Sequence, residues 1–113
     1  MRTSLLVLIL LAAPAAATAA GNPLLAAQAR GYTLAAGVCA ACHMIEPAGT
    51  SPNPRAPPFR ILAGRYVPLT LQRRLADIAE TGHYAMPPIN IHADQVQDVV
   101  AYINSLERPN DPH

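Results

Sequence analysis

The stretch V-C-A-A-C-H-M, residues 38–44, holds both cysteines of this 113-residue chain, with a histidine directly after the second. A bare C-x-x-C admits three chemistries: a redox dithiol, half of a metal site, or an attachment point for a group the sequence does not encode. A thioredoxin-like dithiol needs a strand running into a helix in a βαβ pattern, and no alternating run of useful strand length occurs here. A structural zinc site needs four ligands. Beyond Cys39, Cys42 and His43, the chain offers only His83, His92 and His113, none paired at a zinc-like spacing. A disulfide across so short a loop would do little to hold distant parts of a fold together, because its effect grows with loop length.

With the histidine included, C-x-x-C-H is the signature of covalent haem c attachment. The chemistry accounts for the spacing: two thiols three positions apart can add to the two vinyl groups of one haem as thioethers. His43 is then placed beneath the porphyrin to ligate iron from the proximal side. The cofactor expected is one covalent haem c with its iron.

The chain begins with Arg2, an apolar run from Leu5 to Ala13, Pro14 and then small residues ending in Ala17-Thr18-Ala19-Ala20. This is the charged, apolar and small-residue order of a cleavable secretory signal. A spanning helix wants about 20 apolar residues, so no stable membrane span is expected. Residues 1–20 are read as the signal, cut after Ala19 or Ala20, and 21–113 as one domain of modest core. Haem c matures outside the cytoplasmic membrane, so the expected location is the periplasm.

Without Arg2, seven arginines balance seven acids, and there is no lysine. A nucleic-acid binder would need a net basic surface, so that class is set aside. The charges are unevenly spread. Arg55, Arg60, Arg65, Arg73 and Arg74 lie in 55–74 with no acid, whereas 77–113 holds six acids against Arg108. Such asymmetry can orient a docking encounter.

Three main helices are predicted. Asn22-Pro23 starts the first, which runs through L-L-A-A-Q-A-R-G-Y-T-L-A-A and delivers the chain to the cysteines; C-A-A-C-H is itself expected to form a helical turn. Between Glu46 and Pro58, five prolines forbid a regular element. Thr70 can cap a second helix carrying Leu71, Leu75 and Ile78 on one face, with its exit at Gly82. The third begins near His92 and carries Val96, Val99, Val100, Ile103 and Leu106 until Pro109, with Asp94 suiting the dipole of its first turn. Helices this short around a small aliphatic core are marginal unaided, and a large apolar cofactor would supply the missing core.

The sixth iron position decides function. Met44 adjoins the proximal ligand and is read as a gap-filling core residue. His92 sits at an N-cap and His113 is the last residue. Met86, in the coil G-H-Y-A-M-P-P, and His83, three residues earlier, are the two distal candidates.

The chain resembles the class I cytochromes c of the small, single-haem bacterial kind, over about Arg30 to Leu106. Gly31 matches the glycine of that family's N-terminal helix, and D-V-V-A-Y-I-N-S-L, residues 98–106, is similar to its last helix, with Tyr102 at the crossing. A-P-P-F-R-I-L-A-G-R, residues 56–65, resembles the family's Gly-Pro-x-Leu-x-x-Leu-x-Gly-Arg stretch, and A-M-P-P its distal methionine loop. The resemblance implies that Pro57 accepts a hydrogen bond from His43, Phe59 lines the haem pocket, Arg65 lies near a haem propionate, and Met86 is the distal ligand. Two departures stand out: Ala35 replaces a usual aromatic, so the crossing must pack differently, and the lysine docking ring of mitochondrial relatives is missing.

The implied fold is all-α, cytochrome c-like, with proline-rich coil wrapped around the haem. The implied function is that of a soluble, monomeric one-electron carrier, not an enzyme, working between redox partners such as a dehydrogenase, a cytochrome complex or a terminal oxidase. The alternatives are a haem enzyme or gas-binding sensor with an open distal face, and a fixed electron-transfer subunit of a larger exported complex.

Overall fold

The computed structural model describes residues 21–83 and 86–106. The expected signal, residues 1–20, lies outside them, as do Pro109 and His113. Four helices are present: α1 (Pro23–Val38), α2 (Phe59–Arg65), α3 (Pro68–Thr81) and α4 (Ala93–Asn104). Among the described residues the only β pairing is an isolated antiparallel bridge between His83 and Met86. The domain is all-α, with one helix more than the periodicity predicts. The addition is α2, seven residues long and preceded by Pro57-Pro58. Two turns are too few for an apolar stripe to declare itself.

The caps explain the other boundaries. Asn22 accepts a hydrogen bond from the Leu24 N–H at 2.9 Å, and Pro23 takes the first position of α1. The helix α3 starts earlier than Thr70 predicts, because Pro68 occupies its first turn after Val67. At the start of α4, the Gln95 side chain reaches back to accept from the His92 N–H at 2.8 Å. That helix ends at Asn104, before the proline expected to stop it.

The principal packing is α1 against α4, with α2 and α3 also leaning on α4. Gly31 makes the close crossing possible. A Cβ there would run into the Asp98 carbonyl and come within 2.9 Å of the Tyr102 Cβ. Ala35 is completely buried in the same contact. The aromatic partner for Tyr102 comes instead from Tyr32, one turn earlier, whose ring meets it edge-on at 5.3 Å between centroids and 73° between planes. This is how the helix crossing packs without an aromatic at position 35. Alongside, Arg30 holds Asp98 through two hydrogen bonds of 2.7 and 2.8 Å.

The crossing also grips the segment after the cysteines. Tyr102 donates its hydroxyl to the Ile45 carbonyl at 2.7 Å, in a buried setting, and Tyr32 donates to Glu46 at 2.8 Å. Ile45, Phe59, Ala63, Leu71, Val99, Val100 and Ile103 complete the core. The helix pair is thus the fixed frame on which the turn at residues 39–46 rests.

Candidate haem site

The helix α1 stops one residue before Cys39, but the backbone keeps turning. Cys42 and His43 both donate their N–H groups to the Cys39 carbonyl, at 3.1 and 2.9 Å. This places Cys42 and His43 at the mouth of a largely apolar cleft of about 510 Å³. The volume is within the usual range of about 300–1,000 Å³ for cofactor sites. Burial pushes the Cys39 thiol up to about 11, so it stays protonated at neutral pH. A redox-active cysteine needs the opposite shift.

His43 is only 9% exposed, and its Nδ1 lies 2.8 Å from the Pro57 carbonyl oxygen. A carbonyl can only accept, so Nδ1 carries the proton, and in the neutral ring Nε2 keeps a lone pair for a metal. Phe59 stands behind the imidazole, its ring centroid 5.6 Å away. The coil between them is folded back on the site: Asn53 donates to the Cys42 carbonyl, Ala56 to Asn53, and Phe59 to the Met44 carbonyl. Met44 packs its thioether over Gly49, on the loop and away from the cleft's lining residues.

The opposite side of the site is a tight turn. His83 and Met86 exchange both backbone hydrogen bonds, at 3.2 and 2.8 Å. Such a pair sends its two side chains to the same face, and both line the cleft. Gly82 lets the chain enter this turn with φ at +70°; a Cβ there would strike the Met86 carbonyl and meet the backbone of Pro87 and Pro88 at 3.0 Å. The His83 ring lies 6.1 Å from that of His43, the two planes 14° from parallel. Burial, and then the neighbouring His43, lower the pKa of His83.

The structure therefore brings Cys42, His43, Pro57 and Met86 to one cleft, with Cys39 at its entrance turn and Phe59 behind. It does not bring Arg65 there. That residue is exposed at the end of α2. Arg55 and Asn53 line the cleft instead, and neither is singled out by the sequence reading. The available signal is an asparagine set between Pro52 and Pro54, which predicts an Asx turn; Asn53 indeed accepts from the Arg55 N–H at 2.9 Å.

These residues fit a haem. A histidine that ties one ring nitrogen to the Pro57 carbonyl presents the other as a ligand, and the cysteine turn lies beside an apolar cleft far larger than a bare ion needs. Among the described residues, no three His, Cys, Asp or Glu side chains converge to hold a metal by themselves. Fold and site together define a small c-type cytochrome.

The family model described as cytochrome C oxidase, cbb3-type, subunit III matches residues 26–103. The chain belongs to that family of cytochrome c domains, and with it come a covalent haem c, iron and electron transfer. No curated protein and no solved structure matches the chain.

Proposed function

We propose that this cytochrome is an exported, soluble one-electron carrier in which His43 and Met86 are the two axial iron ligands. The observation that carries the reading is the placement of both side chains on one cleft, with His43 held by Pro57. The haem, when bound, supplies a one-electron couple at its iron. His43 would hold that iron through Nε2, since its Nδ1–H is tied to the Pro57 carbonyl, a bond that fixes the tautomer and raises the basicity of the ring. Met86 offers a thioether, a ligand that favours a high reduction potential. Phe59 and Ala56, both buried, would keep water from the proximal side, and Arg55, in the cleft's lining, would meet a carboxylate of the haem.

With His43 and Met86 both on the iron, no position would be left for a substrate, which is what would separate a carrier from a haem enzyme or gas sensor. Docking uses the cofactor's edge near Ala41, Pro87 and Pro88, all exposed, through a small transient interface. The acid-free run of arginines gives the encounter its orientation and salt dependence. A dehydrogenase, a cytochrome complex or a terminal oxidase are the partner classes this suits. No described helix is long and apolar enough to cross a membrane.

A second reading, a fixed subunit of a larger complex, is favoured by one observation: the matching family model is described as an oxidase subunit. Size exclusion of the native protein from its source separates the two. A carrier elutes near its own mass, a subunit with its complex.

The ligand assignment is tested by the optical spectrum of the oxidised protein, matured with covalent haem, beside Met86→Ala. A weak long-wavelength charge-transfer band, present in the wild type and lost in the variant, is the expected result. A wild type lacking the band sinks Met86 ligation and brings forward His83 ligation or an open-faced haem.

A further inference from the structure

We propose that His83 is a reserve axial ligand, a nitrogen donor held in the same cleft that takes the distal iron position when Met86 leaves it. The inference rests on the His43/Met86 reading and adds a second state to it.

Three observations carry it. The first is the backbone pairing: His83 and Met86 exchange both N–H···O bonds, so their side chains leave the turn on the same side and reach for the same space. The second is that both line the cleft that His43 lines. His92, the other described histidine outside the attachment motif, sits instead at the start of α4. The third is the separation of the two imidazoles. The His43 and His83 centroids are 6.1 Å apart, so His83 already stands beside the ring that would hold the iron from the other side.

The exchange is balanced without any redox partner. The iron–sulfur bond to Met86 breaks, a bond from a neutral ring nitrogen of His83 forms, and no proton or electron leaves the site. Both side chains already line the one cleft. One side chain swings out as the other swings in. Replacing a thioether by an imidazole lowers the reduction potential, so the second state would be a poorer electron acceptor.

The test compares Met86→Ala with Met86→Ala/His83→Ala, both carrying covalent haem and both checked for native helix content. With His83 in reserve, ferric Met86→Ala stays low-spin by electron paramagnetic resonance, whereas the double variant becomes high-spin. Reduced Met86→Ala should also bind carbon monoxide about tenfold or more weakly than the double variant, because a site vacant a tenth of the time shows affinity reduced by that fraction. Met86→Leu, which keeps the bulk of the side chain, repeats the comparison where truncation loosens the turn. A high-spin Met86→Ala with the carbon monoxide affinity of the double variant overturns the proposal. The methionine band of the wild type is recorded alongside. A wild type without that band overturns the ligand reading beneath the proposal, a result distinct from failure of the reserve.

Discussion

The molecule depends on two glycines for opposite reasons. At Gly31, ordinary helical backbone is pressed against ordinary helical backbone, and the glycine is there because the Asp98 carbonyl leaves no room for a methyl group. At Gly82, a tight turn needs both a left-handed φ of +70° and a close approach to Met86. The first region is rigid on both sides and is complete without the cofactor. The second carries His83 and Met86 to the lining of a cleft. The close helix crossing and the cleft therefore belong to different parts of a small domain.

Substitution at Gly31 should break the frame, and it gives the largest expected effect. Alanine is the better helix former by about 1 kcal/mol, so propensity alone predicts that Gly31→Ala stabilises. The crossing predicts the reverse, a loss of about 3 kcal/mol or more, since backbone cannot yield as a flexible side chain does. Denaturant unfolding of the haem-bearing protein decides the sign. An unchanged or raised midpoint would mean that the helices do not pack this closely.

Gly82→Ala sharpens the contrast on the other side. The backbone strain costs about 1–3 kcal/mol, and the turn can relieve it by shifting Met86. The expected outcome is a modest fall in stability with weakening of the methionine-to-iron band. A large loss of stability with the band intact would show that the turn is as rigid as the crossing.

The smallest effect is at acid pH. The Arg30 side chain, through its hydrogen bonds and then its charge, holds the Asp98 carboxyl below the usual range. In the unfolded chain that carboxyl titrates at about 4. Its contribution is thus present above pH 4 and lost as the pH falls through the lower, folded value, because the unfolded state takes up the proton first. Asp98→Asn should flatten the acid limb of the stability curve slightly while leaving the spectrum unaltered. Arg30 is well exposed, and solvent screening keeps the effect small.

The sequence makes much of the frame legible. Asn22-Pro23, Gly82 and the stripe Val96, Val99, Val100 and Ile103 mark the three longer helices, because a cap or an apolar face repeats a local rule several times. The short α2 offers no such repetition, and its residues are recognisable only by their resemblance to a family stretch. The aromatic contact at the crossing shows another limit. Tyr32 replaces the expected aromatic from one turn away, an exchange that depends on which face α4 presents.

Around the site, Cys39, Cys42 and His43 declare their chemistry by spacing alone. The placement of Arg55 at the cleft, and of Arg65 outside it, depends on how a proline-rich coil folds back over ten residues, and no local pattern specifies that.

The bond between Arg30 and Asp98 joins positions 68 residues apart. The helix that holds the cysteine turn, through the Tyr102 hydroxyl on the Ile45 carbonyl, thus comes from the far end of the domain. Loop closure over such a span must await nearly the whole chain. Until then nothing clamps the Cys39 to His43 turn against Tyr102. The domain's own connectivity thus provides a window in which both thiols are open to modification, and the last helix closes it.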